Sequence, residues 1–168
     1  MNSFIAQIRS MYAWAVRAVS TLQSPFLLFV RVYWGWQLAT NGWAKLHNLS
    51  RVTDYFASLG VPHPGFTAPF VSSTELICGM LLAIGLFSRF AGLVLTIDMA
   101  NAYVFGDRAA LLSIFSDPDK FTAATPYTTL CAVLVILLFG PGKWALDTFL
   151  LKRFPYVEPQ TQVVLDKK

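Results

Sequence analysis

Arg31, Glu75 and Asp98 each interrupt an apolar run of the chain. A charge at the centre of a bilayer costs about 2.5 to 3.5 kcal/mol on insertion scales, so a residue of this kind points to a function or to a buried partner. The guanidinium of Arg31 is suited to a bidentate, charge-assisted bond with either acid. Two acids and one arginine leave one carboxyl unpaired. A carboxyl that takes up and releases a proton in an apolar cavity is what quinone redox chemistry or a proton path requires. The same trio also suits a clamp that fixes helix packing without turnover, because buried ion pairs serve either purpose. Both readings stand at the level of the sequence.

Other residues have chemistry available to them. Trp34 and Trp36 offer faces on which a quinone ring can stack, and with Gly79 they are the candidate cofactor-binding positions. Tryptophan is equally an ordinary anchor at the membrane surface. Cys78 follows Glu75 by three residues and Cys131 lies in another apolar run. Thiolates are disfavoured in hydrocarbon, so both cysteines read as small hydrophobes before they read as a redox pair. His47, His63 and Asp54 lack a spacing that specifies a metal geometry. No glycine-rich phosphate loop, nucleophile elbow, paired CxxC or haem-attachment motif is present, so neither a metal nor a nucleotide is expected.

The elements that must position these residues follow from composition. Of 168 residues 55% are hydrophobic and 13% charged, against roughly 25% charged in an average soluble domain. At about 20 apolar residues per crossing, the length suffices for four crossings and their loops. The formal net charge of +4 comes without a basic block or aromatic-basic motif, which sets nucleic acid aside and makes the charge a matter of topology.

From Phe4 to Leu22 apolar residues recur at three- and four-residue steps with Arg9 and Arg17 between them, the pattern of an amphipathic helix. Such a helix can lie along the cytoplasmic face of the bilayer or pack on a soluble partner. Ser24 and Pro25 form a helix-start signal, so a first span is expected from Pro25 to about Leu46. Within it, Gly35 and Ala39 have a spacing that permits close helix contact. The polar stretch from His47 to Pro64 reads as a loop holding a short interfacial helical turn around Tyr55 and Phe56. A second span runs from Phe66 to about Leu86, a tight connection lies at Ser88 and Arg89, and a third span covers Phe90 to Phe105. A second polar loop follows, then a fourth span from about Pro126 to Phe139, closed by Gly140-Pro141-Gly142.

At about 1.5 Å per residue, Arg31 lies roughly 9 Å from the cytoplasmic end of its helix, and Glu75 and Asp98 roughly 13 to 17 Å from theirs. All three are therefore expected to share one polar site. Lysine and arginine are counted next, because cytoplasmic segments retain positive charge. Arg9, Arg17, Arg89, Lys143, Lys152, Arg153, Lys167 and Lys168 fall on one side; Lys45, Arg51, Arg108 and Lys120 fall on the other. This places both termini in the cytoplasm. The expected organisation is an amphipathic leader over 1–24, a four-helix transmembrane bundle over 25–147 and a polar cytoplasmic tail over 148–168.

Several of these residues carry a likeness. Arg31, Gly35, Gly42 and Lys45, then Phe56, Gly60 and Pro62, then Glu75, Gly79, Gly85, Leu86 and Arg89 stand in a pattern that continues with Met99 and Ala100. It ends in Gly140-Pro141-Gly142-Lys143-Trp144-Ala145-Leu146-Asp147. In this the chain resembles the DoxX family of small bacterial membrane proteins. The resemblance implies an all-α, four-helix bundle in the bacterial inner membrane and an association with redox systems, among them sulfur and oxidative-stress chemistry. Asp98 stands outside the pattern. The leading expectation is a membrane subunit of a redox assembly that binds quinone near Arg31, Glu75 and Asp98 and works with a protein partner or a second copy of itself. The alternative is a non-catalytic anchor that recruits a soluble enzyme.

Overall fold

The structure is a computed structural model that describes residues 2–153; the tail from 154 onward, part of the expected cytoplasmic segment, lies outside the described residues. Among the described residues the chain is helical, with no strand. Four long helices, α1 (Asn2–His47), α3 (Pro64–Ile84), α4 (Ser88–Phe105) and α7 (Pro126–Phe139), are joined by α2 (Leu49–Ser58), α5 (Arg108–Leu112) and α6 (Pro118–Ala123). A last helix, α8 (Leu146–Arg153), occupies residues read from sequence as the start of a polar tail.

The expected helix start at Pro25 is absent, because α1 continues through it as one helix of 46 residues. Proline gives up one N–H and crowds the preceding turn, but the residues on both sides are already helical and hold it in place. The loop after α1 is also more ordered than the sequence suggested, since ten of its residues form α2. Proline sets the start of α3, with Pro64 in its first turn. Its end is set by Gly85, whose φ of 77° closes the helix in the left-handed region. Gly85 and Leu86 both donate their N–H groups to the Leu81 carbonyl, each at 2.9 Å. That termination satisfies carbonyls that a helix end leaves free.

α1 packs on α3, α3 on α4, α4 on α7, and α7 returns to α1. The α1–α3 contact is made by glycine. A Cβ added at Gly35 would fall 2.7 Å from the Ala83 nitrogen, one at Gly42 2.5 Å from the Leu76 nitrogen, and one at Gly79 2.6 Å from the Ala39 nitrogen. The two backbones therefore touch over two turns, as small residues allow in membrane helices. Val30, Leu38, Leu82, Leu95, Met99, Val133 and Ile136 fill the space between the four long helices.

The outer faces reverse the usual distribution of polarity. Trp36 and Leu138 are each 68% exposed, while Arg31 is 2% and Glu75 4% exposed. Large apolar residues facing outward around buried charges suit a hydrocarbon solvent, not water. By length and composition α3 and residues Arg9–His47 of α1 can each cross a membrane; α7 is apolar but shorter.

Candidate functional site

Glu75 and Asp98 stand at matching heights on neighbouring helices. Each is ten residues from the α3–α4 turn, counted to Gly85 and from Ser88, or about 15 Å along its helix. The antiparallel pairing of α3 and α4 then places the two carboxyls side by side, within electrostatic reach of each other. Lys45, near the end of α1, is the third member. Its Nζ donates to Glu75 Oε1 at 2.7 Å, and this is the ion pair found among the described residues.

One cation serves two acids. Glu75 Oε2 and Asp98 Oδ2 are both buried with no hydrogen-bond partner, a condition that is costly unless a proton, water or ligand completes it. One ammonium facing two carboxyls leaves one carboxyl without a counter-charge. The Lys45 side chain is 35% exposed and that of Glu75 only 6%, so the cluster opens to its surroundings on the lysine side. The arrangement can hold and release a proton.

Arg31 is not part of this cluster. It lies fourteen positions before Lys45 on α1, about 21 Å along the helix axis. Its Nη1 donates to the Pro141 carbonyl and its Nη2 to the Trp144 carbonyl, both at 3.1 Å. A Cβ at Gly85 would collide with the guanidinium, so the left-handed glycine that ends α3 also makes room for it. Beside it Asp147 spans the α3–α4 turn. Its Oδ1 accepts the Phe87 N–H at 2.7 Å, its Oδ2 accepts the Ser88 N–H at 2.8 Å, and its own N–H donates to the Gly85 carbonyl at 2.8 Å. Phe87 has a φ of 48°, a conformation that costs a side-chain-bearing residue roughly 1 to 2 kcal/mol and that Asp147 holds in place. Arg31 and Asp147 thus fasten residues 141–147 across the end of the long helices.

The expected single site therefore separates into two. The helix-rise argument placed Glu75 and Asp98 together but assigned them the wrong cation, because Arg31 finds backbone carbonyls close to its own level. By position in the sequence Lys45 groups with the charges on the far side from the termini. It lies a turn beyond Glu75, and its four-carbon stem reaches back. Gly79, a cofactor candidate, faces the α1 backbone with no room for a ligand. Trp34 packs against the core. Trp36 lines an outer groove of about 780 Å³ with Phe29, Tyr33, Gln37 and Trp144, at the Arg31 end of α1. Cys78 is buried, Cys131 is exposed, and both thiols are free. The His47 Nδ1 bonds the Trp43 carbonyl at 2.9 Å, and no group of three histidine, cysteine or acidic residues that could hold a metal ion occurs among the described residues.

The DoxX family model matches residues 26–108, a segment that holds Arg31, Lys45, Glu75 and Asp98 and stops before the 141–147 fastening. Over 104 residues, 58% of this chain, the sequence is 35% identical to an uncharacterised membrane protein of Mycobacterium tuberculosis, Rv3486, and the match spans 64% of that protein, a little under two thirds of its length. Over 125 residues, 74% of this chain and 87% of the relative, it is 27% identical to a protein of Bacillus subtilis provisionally named an oxidoreductase, CatD. No solved structure matches the chain.

Proposed function

We propose that this chain, a membrane protein carrying a DoxX-family domain over residues 26–108, is the membrane subunit of a redox assembly in which Lys45, Glu75 and Asp98 pass protons to a quinone-type carrier. The observation that carries the reading is the pair of buried, unpartnered carboxyl oxygens on Glu75 and Asp98 beside one lysine. Reduction of a quinone to its hydroquinone consumes two electrons and two protons. In this scheme the electrons come from the redox centre of a partner protein, and the protons come one at a time from the acid pair. The pair is refilled from the Lys45 side. The resemblance to a relative provisionally named an oxidoreductase supports the redox class.

The topology proposed with this function has α1, α3, α4 and α7 each crossing the bacterial inner membrane, with both termini in the cytoplasm. The excess of lysine and arginine on the side of the α3–α4 turn supports it. The test is Glu75→Gln and Asp98→Asn, each restored to membranes that lack the native chain. Removal of a positioned proton donor lowers rates by about a hundredfold or more, so quinone reduction should fall by that order while the variants still fold and insert. Full activity in both folded variants rejects the reading.

A second reading has its own observation. Met11, Tyr12, Trp14, Val19 and Leu22 of α1 are all more than 60% exposed, an apolar surface on an arm ahead of the packed part of the helix. As a scaffold, the chain would recruit a soluble enzyme through this arm. Deletion of residues 2–22 should then release the partner from a bundle that stays folded; partner retention counts against it.

A further inference from the structure

We propose that the groove between the α3–α4 turn and the segment following α7 binds the phosphate of an anionic glycerophospholipid. The groove has a volume of about 850 Å³, within the range of roughly 300 to 1,000 Å³ common to ligand sites. It lies at the end of the long helices where Arg31 and Asp147 fasten the chain, level with the start of the packed part of α1 at Ser24 and Leu27. Its cations are Arg89 and Lys143. The Arg89 guanidinium lies over Gly140, where an added Cβ would sit 3.4 Å from Nη2 and 3.5 Å from Nε. Neither Arg89 nor Lys143 forms an ion pair among the described residues.

The charge at this end of the molecule is one-sided. Residues 85–90 and 139–153 contain Arg89, Lys143, Lys152 and Arg153 against one acid, Asp147. Both oxygens of that acid accept the Phe87 and Ser88 N–H groups, and its single charge leaves this end of the molecule net positive. Ser88 lines the groove as well, and its buried Oγ has no partner. Asp147 and Thr148 also line it, and the greater part of the wall is apolar, with Phe87, Phe90, Phe139 and Leu150. Two cations and a free hydroxyl beside aromatic and aliphatic walls fit a phosphate that carries acyl chains. A free phosphate leaves those walls unused, and an acidic peptide has no need of them. Basic pockets between membrane helices recognise lipid headgroups by the same combination.

The test uses the full chain in phosphatidylcholine nanodiscs, with and without phosphatidylglycerol, read by thermal unfolding and by the lipids retained in native mass spectrometry. Phosphatidylglycerol should be retained in preference and should raise the unfolding midpoint. The double variant R89Q/K143Q should lose the preference by roughly tenfold or more, at about 1 kcal/mol per surface cation, while R89K/K143R should keep it. If the double variant does not fold, R89Q and K143Q taken singly should each lose several-fold. An unchanged preference in the glutamine variants overturns the proposal. So does equal protection by inorganic phosphate in phosphatidylcholine alone, which would make the site one for a free anion, or displacement of the lipid by a short acidic peptide at equal concentration.

Discussion

At the scale of single residues, the two buried charges of α1 and α3 have different duties. Arg31 bonds two carbonyls of one short segment, and its loss leaves both without a donor. Arg31→Met should therefore destabilise the protein by about 2 to 4 kcal/mol, measured by unfolding in detergent, and should do so without a specific effect on proton handling. Asp147→Asn presents one acceptor oxygen where two N–H groups now bond, which should cost about 1 to 2 kcal/mol by the same assay, in the range of helix-capping losses. Lys45→Met acts elsewhere: it strips the cation from both acids and should lower quinone reduction as far as Glu75→Gln does. Activity at the native level in a folded Lys45→Met variant would mean that the ion pair only fastens α1 to α3. The acids were legible in the sequence because their depth follows from helix rise. Their cation was not, because a lysine near a helix end reaches inward by a side-chain conformation that residue spacing does not specify. Arg31 was misplaced for a related reason: carbonyl acceptors have no signature in the amino-acid sequence.

At the scale of elements, glycines of the same chain should respond in opposite ways. Gly79→Ala drives a methyl group into the α1 backbone, 2.6 Å from the Ala39 nitrogen, where no flexible side chain can give way. A cost of about 2 kcal/mol or more is expected, with α1 and α3 pushed apart. Gly65, near the start of α3, has nothing within 4 Å of an added Cβ. Gly65→Ala should be neutral or stabilising by up to about 1 kcal/mol, because alanine loses less entropy in a helix. Gly60 has equal space but a φ of 73°, so Gly60→Ala should cost about 1 kcal/mol through the backbone alone. Unfolding midpoints of the three variants check that order. The close α1–α3 contact could be read from Gly35 and Ala39, but the connection expected at Ser88 and Arg89 lies just ahead of them, at Gly85 to Phe87, because the left-handed Gly85 ends α3 and Ser88 already opens α4. The continuity of α1 could not: Ser24-Pro25 is a good helix start in isolation, and only the helical residues ahead of it decide that the helix runs through.

At the scale of the whole molecule, stability resides in the part of the chain after Gln23. No residue before Leu27 is buried among those whose exposure is described. Removal of residues 2–22 should therefore change the unfolding free energy by no more than about 1 kcal/mol, as measured in matched detergent; a larger loss would show that the arm folds back on the body. The distribution of polarity, with apolar residues outside and charges within, was legible from the low charged fraction and the positions of the interrupting acids.

The bond from Ser88 to Asp147 spans 59 positions, and a ribosome makes residue 88 long before residue 147. Until synthesis reaches Asp147, the first turn of α4 keeps two bare N–H groups and Arg31 has no carbonyls to hold. The 141–147 fastening can therefore form only late in synthesis, and a chain cut short ahead of it keeps a buried arginine without its two acceptors.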